Sequence, residues 1–396
     1  MPAMPISSLP FPLIQLSGGA RERGLVHGRA AGDRIVEGAA HYHAQLAMLG
    51  LKPSAIAKLV EQLVPGMAAF DASYVEEMRA IAEGADVPFT TIALINARTE
   101  VLKLAKRHAD ALGLRPDTNP DGCTSVVILP HRTSAGHLIH AQNWDWKVEC
   151  AHTSVVLHVK REDGPDYLTF TEAGGLARTG MNEAGLSISA NYLESDRDYS
   201  QDGVPLALIR RKVLECQHMA HAIRAIYCTP KSASNNIVLS HIAGQVFNFE
   251  CAPDETFVVH PESGILVHAN HWVSPVALAK LKDTGLMNVP DSLYRDVRVR
   301  QLLDANTALL HPSDVRDALF DDFQTPWSVC RPPRLTLADN LSATVAMIVM
   351  EPARGIMTIA PLPALNREHT VYRLESIAGK YANEASIVAP SLKKTA

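Results

Sequence analysis

The sequence predicts an α+β protein whose sheets are mainly antiparallel. Up to residue 104, apolar residues recur at helical spacing, whereas short β-like runs follow one another closely from residue 123 onward. Few helical segments interrupt those runs. This arrangement is typical of strands that pair with their neighbours along the chain, and not of repeated βαβ units.

The helical part comes first. The spacing of apolar residues predicts helices at residues 25–49, 55–64, 74–82 and 92–104. Pro53, Pro65 and Pro88 separate these segments. Residues 107–122 are polar and rich in Gly, Pro, Asn and Asp, so we expect a surface loop there.

The strand-rich part follows that loop. Strands are predicted at residues 123–129, 138–143, 154–160, 167–171, 186–191, 236–240, 246–250, 256–260, 265–269, 344–350 and 356–360. Helices are predicted at residues 206–219, 293–303 and 313–320. No linker or internal repeat divides the chain, which favours one intertwined domain.

Composition limits the function. Hydrophobic residues make up 47% of the chain and charged residues 20%, as in ordinary globular proteins. A net charge of −5 argues against a nucleic-acid partner or an anionic membrane. The start is apolar but lacks the basic region of a signal peptide, and the six cysteines are scattered. We therefore expect a cytoplasmic protein with reduced thiols and no membrane or nucleic-acid partner.

Cys123 is the strongest candidate for catalysis. It opens a predicted strand directly after the loop, and Gly122 before it lacks a Cβ that would hinder attack on its carbonyl. If the Gly122–Cys123 bond is broken, Cys123 carries a thiol nucleophile and a free α-amine base. Cleavage there would give a helical segment, residues 1–122, and a strand-rich catalytic segment, residues 123–396.

Two downstream positions carry side chains that suit such a site. Asp145, between two tryptophans, could lie on the far strand of a hairpin beside Cys123 and orient the α-amine. Asn270 follows a strand and could direct its side-chain N–H toward an oxyanion. The segment with Asn191 and Tyr192 ends another strand and could add a backbone N–H. Taken alone, Asp145 is better explained as a strand-end aspartate between packing tryptophans, and Asn270 as a turn asparagine.

Taken in their order along the chain, the motifs resemble those of the acyl-coenzyme A:6-aminopenicillanic acid acyltransferase family. Members of that family are self-processing cysteine N-terminal-nucleophile hydrolases. The resemblance is carried by residues 19–28, 122–125, 142–146, 171–174, 181–186, 203–205 and 269–271. It implies a four-layer αββα sandwich of two antiparallel sheets.

The resemblance also implies residue roles. Cys123 would be nucleophile and base, Asp145 a supporting polar residue, Asn270 an oxyanion donor, and Tyr192 a substrate contact. Ser342 is similar to a site serine near the family's C-terminus. The substrate would be a small-molecule amide or an acyl thioester, with no cofactor or metal. The two cleaved chains would stay associated, with a higher oligomer left open.

Other classes of function remain open from the residues alone. An acyl-coenzyme A-dependent N-acyltransferase is one. A metal-binding protein is another, because the pairs His41/His43, Cys150/His152 and Cys216/His218 could supply ligands. Two of these pairs fall on predicted helices, where side chains two residues apart point in different directions. A non-catalytic relative would keep the fold alone. An uncleaved enzyme could use His140 or His271 as the base.

Overall fold

A computed structural model describes residues 8–111, 122–335 and 341–374 of this chain. Its helices are α1 (Ala20–Met48), α2 (Pro53–Phe70), α3 (Ala72–Ala85), α4 (Phe89–Asn96), α5 (Arg98–Ala111), α6 (Cys150–Thr153), α7 (Leu206–Leu214), α8 (Met219–Tyr227), α9 (Pro275–Leu278), α10 (Ser292–Asp304) and α11 (Pro312–Leu319). Within these ranges, every helix is too short or too polar to cross a membrane.

The strands are β1 (Leu13–Leu16), β2 (Gly122–Ile128), β3 (Ile139–Lys147), β4 (Ser154–Val159), β5 (Tyr167–Glu172), β6 (Thr179–Asn182), β7 (Leu186–Tyr192), β8 (Asn235–His241), β9 (Gln245–Cys251), β10 (Thr256–Val259), β11 (Ile265–His268), β12 (Arg334–Leu335), β13 (Leu341–Glu351), β14 (Ile356–Pro361) and β15 (Thr370–Arg373). All the predicted strands are present. Four strands were not predicted: β1, β6, β12 and β15.

The strands form two sheets. Sheet A has the order β1-β4-β5-β6-β7-β8-β9-β10, and sheet B has the order β11-β2-β3-β13-β14-β15 with β12 beside β13. Pairing is antiparallel throughout except between β1 and β4. The predicted α+β class with two antiparallel sheets is therefore confirmed.

The side chains of β2 point alternately to two buried faces, which places sheet B between two layers. Val126 and Ile128 of β2 pack with Val299 of α10 and Leu319 of α11. Val127, between them in sequence, packs instead with sheet A residues. Successive side chains of a strand point to opposite faces, so sheet B lies between sheet A and the α10–α11 layer. On the other face of sheet A, α7 packs on β6 and β7, α8 packs on β8 and β9, and α1 packs beside β1, which completes the predicted four layers.

Two glycines let α1 approach α3 directly. A Cβ on Gly24 would lie 2.4 Å from the backbone oxygen of Glu77, and one on Gly28 would lie 2.2 Å from that of Ile81. Both distances are far below van der Waals contact, so only glycine fits at either position. The glycines of the motif at residues 19–28 that face α3 are thus explained by helix packing.

Four local predictions were wrong. Pro65 was expected to end the second helix, but it lies inside α2, which continues to Phe70. The helix predicted at residues 92–104 is divided at Ala97 into α4 and α5. The helix predicted at 206–219 is divided into α7 and α8, where Asn182 Nδ2 bonds the carbonyls of Leu214 and Cys216. The loop predicted at residues 107–122 was wrong at both ends, because α5 continues to Ala111 and β2 begins at Gly122. Residues 112–121 lie outside the described residues.

Candidate active site

Cys123 lies at the start of β2 and is buried, with 2% of its surface exposed. In the β2–β3 hairpin, Gly122 is in register with Asp145 and Cys123 with Trp144. The expected hairpin is therefore present, and β3 extends through the whole aromatic motif to Lys147. Ser125, on the same face as Cys123, bonds Asn191 of sheet A, so this face of β2 looks between the sheets.

Asn270 lies beside the Cys123 backbone. Its Oδ1 accepts the Cys123 N–H at 2.8 Å, and its Nδ2 donates to the Tyr192 carbonyl at 3.0 Å. An amide NH₂ has two hydrogens, and the bond to Tyr192 uses one of them. The structure thus brings three predicted residues together: Cys123, Tyr192 and Asn270.

Arg295 of α10 joins these residues, and sequence reasoning missed it. Its guanidinium is fully buried and donates to the Cys123 carbonyl at 2.8 Å, to Thr124 Oγ1 at 2.9 Å and to Asn270 Oδ1 at 2.7 Å. Two donors, from Arg295 and from the Cys123 backbone, therefore meet at Asn270 Oδ1. This geometry establishes which end of the Asn270 amide faces Cys123.

Four buried charges alternate in sign from β3 to α10; we call them the buried charge chain, Asp145–Arg331–Asp291–Arg295. Arg331 Nε lies 3.2 Å from Asp145 Oδ2, and its Nη2 also bonds Asp291. Arg295 Nε donates to Asp291 at 2.8 Å. Burial alone would raise the pKa of Asp291, but the positive charges of Arg295 and Arg331 outweigh it and hold that pKa below its ordinary value.

Gly122 packs against this charge chain. A Cβ at Gly122 would lie 2.7 Å from Asp145 Oδ2 and 2.9 Å from Arg331 Nη1. Asp145 is also held from its other side, because Thr344 Oγ1 donates to its Oδ1 at 2.6 Å. The residue before Cys123 is therefore restricted by packing against two buried side chains.

The remaining predicted site residues take different positions. The Asn191 side chain bonds Ser125 through Oδ1 and the carbonyls of His268 and Ala269 through Nδ2, at 2.5, 2.7 and 2.8 Å. It thereby holds the segment that carries Asn270. Ser342 stands on β13 in register with Lys147 and Arg334, and its side chain lies outside the described part of the structure.

A second set of contacts supports the Asn270 segment from behind. The Asn270 N–H donates to Ser292 Oγ at 2.7 Å, and His271 Nδ1 contacts the same hydroxyl at 2.7 Å. His268 Nε2 lies 2.8 Å from Glu250, whose carboxylate also accepts the Val273 N–H at 2.7 Å. These bonds fix the turn after β11 at both ends.

The two histidines considered as bases of an uncleaved enzyme have other partners. His140 is in register with Val127, further along β2 than Cys123, and its ring nitrogens bond Ser187, Ser189 and Ser240. Complete burial lowers the pKa of His140 to about 3. His271 contacts Ser292, with Asp296 Oδ2 at 3.7 Å. Among the described side chains, no three His, Cys, Asp or Glu groups converge as metal ligands.

One local signal could have pointed to the missed residues. Asp291 and Arg295 are spaced i,i+4 near the start of a predicted helix, a spacing that brings opposite charges together. Most such pairs lie on exposed helix faces, so the spacing alone does not indicate burial. Arg331 follows Cys330 in an irregular segment and gives no comparable signal.

Comparison with known proteins gives a family match and several relatives. Residues 132–361 match the family model described as acyl-coenzyme A:6-aminopenicillanic acid acyl-transferase. The matched region includes Asp145 and Asn270 and begins after Cys123. The chain is also 28% identical, over 263 residues, to the 40 kDa form of the acyl-coenzyme A:6-aminopenicillanic-acid-acyltransferase of Emericella nidulans, covering 65% of this chain and 67% of that protein.

Two solved structures are similar at low identity. A variant of the conjugated bile acid hydrolase from Clostridium perfringens is 14% identical, with a TM-score of 0.46, over 65% of this chain and 94% of that one. Penicillin V acylase from Agrobacterium tumefaciens is 17% identical, with a TM-score of 0.41, over 65% and 89% of the two chains.

Proposed function

Since this chain belongs to the acyl-coenzyme A:6-aminopenicillanic acid acyl-transferase family, we propose that it is a self-processing amidohydrolase or acyltransferase with Cys123 as nucleophile. Its substrate is a small-molecule amide, and its acyl-enzyme is a thioester. The observation that carries the proposal is the Asn270 amide, whose Oδ1 accepts the Cys123 N–H at 2.8 Å.

Self-cleavage comes first. The Cys123 sulfur attacks the Gly122 carbonyl carbon, a C–S bond forms as the Gly122–Cys123 C–N bond breaks, and the thiol proton passes to the nitrogen. Water then opens the thioester, which leaves a Gly122 carboxylate and a free Cys123 thiol. The packing of Gly122 on Asp145 and Arg331 supports this step, because it restricts where the scissile carbonyl lies.

Substrate turnover uses the new α-amine. This amine has a reference pKa of about 7.7–8.0, so it can accept the thiol proton near neutral pH. The sulfur attacks the substrate carbonyl, the oxyanion accepts the second Asn270 N–H, and the amine product leaves with the proton. Water or another amine then takes the acyl group from sulfur.

The cleaved chains are expected to remain one particle. β1 of the N-terminal segment pairs with β4 of the catalytic segment. Two partly or fully buried ion pairs also join the two segments: Arg98–Glu172 at 2.7 Å and Lys103–Asp198 at 3.3 Å. Gel filtration of cleaved protein should therefore give one peak that contains both fragments.

Intact mass under denaturing conditions tests the mechanism. Wild type should give fragments of about 13 kDa and about 30 kDa in place of one chain of 43.0 kDa. Cys123→Ala should remain one chain, whereas Cys251→Ala, which alters another buried thiol, should cleave like wild type. A fully active but uncleaved wild type would contradict the proposal.

The molecule that accepts the acyl group distinguishes hydrolysis from acyl transfer. Transfer is a specific alternative because the Emericella relative is named an acyl-coenzyme A:6-aminopenicillanic-acid-acyltransferase. Cleaved enzyme is given an acyl-coenzyme A donor with and without a primary amine. An N-acyl product identifies a transferase, and free acid alone identifies a hydrolase.

A further inference from the structure

A line of buried polar side chains crosses the gap between the two sheets. Ser125 Oγ of β2 donates to Asn191 Oδ1 of β7 at 2.5 Å, and Ser189 Oγ donates to Ser125 Oγ at 2.9 Å. His140 Nε2 of β3 lies 2.8 Å from Ser189 Oγ. All four side chains are fully buried. We call this line the hydroxyl chain, His140–Ser189–Ser125–Asn191.

The bonds at Asn191 give the hydroxyl chain one direction. Asn191 Nδ2 donates both of its hydrogens to backbone carbonyls, so its Oδ1 is left to accept. Ser125 therefore gives its single hydroxyl hydrogen to Asn191, and Ser189 gives its own to Ser125. The Ser189 oxygen must then accept a hydrogen from His140 Nε2.

His140 can supply that hydrogen as a neutral ring. Burial lowers the pKa of His140 to about 3, so the ring has one N–H and one acceptor nitrogen. With the hydrogen on Nε2, Nδ1 is the acceptor, and Ser240 Oγ lies 2.9 Å from it with Ser187 Oγ at 3.2 Å. The hydrogen-bond network thus assigns the tautomer of His140.

The hydroxyl chain ends at the segment that carries the oxyanion donor. Asn191 Nδ2 bonds the carbonyls of His268 and Ala269 at 2.7 and 2.8 Å, directly before Asn270. Both hydrogens of the Asn191 amide are used there, so this amide acts on a substrate only through Asn270. We propose that Ser125 is a positioning residue, which fixes the Asn191 amide and thereby aims the second Asn270 N–H at the oxyanion. The inference rests on the proposed function.

Removal of the Ser125 hydroxyl would loosen the Asn191 amide. Among the described side chains, Asn191 Oδ1 would keep one donor, Gln142 Nε2 at 3.4 Å. That distance is longer than an ordinary N–H···O hydrogen bond, so the amide would no longer be held in one orientation. A misplacement of about 1 Å near the reacting atoms can lower a rate about 10²-fold. The carbonyl bonds of Asn191 remain, so we expect a loss of about tenfold for Ser125→Ala.

Steady-state kinetics test this role on protein shown by mass to be cleaved. The substrate is the para-nitroanilide that wild type hydrolyses fastest among the acetyl, hexanoyl and phenylacetyl compounds. Ser125→Ala should lower kcat about tenfold and change KM less than about twofold, because only an interaction of the transition state is lost. On an Asn270→Ala background the same substitution should lower kcat less than about twofold, because the donor that Ser125 positions is gone.

Ser154→Ala is the matched control. Ser154 is a buried serine of β4 whose hydroxyl has no hydrogen-bond partner in the described part of the structure. This variant should keep the kcat and KM of wild type. A loss of kcat from Ser125→Ala that is equal with and without Asn270, a loss confined to KM, or no loss overturns the proposal.

Hydrogen exchange followed by mass spectrometry tests the same role without turnover, on uncleaved Cys123→Ala protein. Backbone N–H groups of residues 268–273 should exchange several-fold faster with Ser125→Ala. The increase should be smaller with Ser189→Ala, which leaves the Ser125 donor in place, and absent with Ser154→Ala. If wild type hydrolyses none of the para-nitroanilides, the proposed function fails while the exchange rates still decide the positioning role. Exchange that is unchanged in Ser125→Ala, or equally fast in Ser154→Ala, overturns that role.

Discussion

Replacing Arg295 with methionine removes the guanidinium that links Cys123, Asn270 and Asp291. The side chain is fully buried and donates four hydrogen bonds, at 2.8, 2.9, 2.7 and 2.8 Å. Removing one partner of a buried ion pair costs about 3–5 kcal/mol of unfolding free energy. Asp291 keeps Arg331 as a partner, so we expect a loss near the lower limit, about 3 kcal/mol.

Equilibrium urea unfolding measures this loss, on a Cys123→Ala background so that every variant is one covalent chain. Arg21→Met is the matched control, because Arg21 and Glu83 form an ion pair whose side chains are 55% and 53% exposed. That pair is exposed to solvent and screened by it, so its removal should change the free energy of unfolding far less. If Arg295→Met costs no more than Arg21→Met, Arg295 does not stabilise the site as a buried partner, and the reasoning is refuted.

Three further predictions concern the scissile residue, the oxyanion donor and acid stability. Gly122→Ala should slow self-cleavage strongly, because its Cβ would overlap Asp145 and Arg331. Gly66→Ala is the control and should cleave normally, because no atom lies within 4 Å of the added Cβ. Intact mass measured at successive times compares the two cleavage rates. Asn270→Ala should lower kcat by about 10²–10³-fold in protein shown by mass to be cleaved, and an unchanged kcat would exclude it as an oxyanion donor. Burial lowers the pKa of His27 from 6.5 to about 4 in the folded state. The neutral His27 ring therefore makes its full contribution to the free energy of unfolding above pH 6.5, and this contribution is lost as the pH falls toward 4. His27→Gln, which keeps an acceptor for the Gly174 N–H, should remove up to about 3 kcal/mol of that pH dependence in urea titrations, and an unchanged slope would contradict it.

Much of the fold could be predicted because it depends on local periodicity. β2 was predicted to begin at Cys123 and begins at Gly122, and the hairpin that brings Asp145 beside it follows from the same alternation of side chains. Short edge strands carry little of this signal. β15 has four residues with half of them exposed, and it was missed for that reason.

The candidate site could be predicted only in part. Cys123, Asp145 and Asn270 stand next to recognisable strand ends or motifs, so sequence order placed them in one site. Arg295 lies 172 residues from Cys123, on a helix with two other arginines, Arg298 and Arg300. Arg298 and Arg300 are half-buried. The i,i+4 spacing of Asp291 and Arg295 does not by itself indicate burial, so no local pattern distinguishes the fully buried arginine.

The sequence by itself determined the alternation of strands, the thiol at the start of β2 and the glycine that precedes it. The tertiary structure alone decided which charges lie beside the backbone of Gly122 and Cys123. A buried charge is stable only beside an opposite charge, and α10 must pack on sheet B before Arg295 can reach Asp291, Asn270 and the Cys123 carbonyl. The packing of helix on sheet therefore selected Arg295 from the arginines of α10.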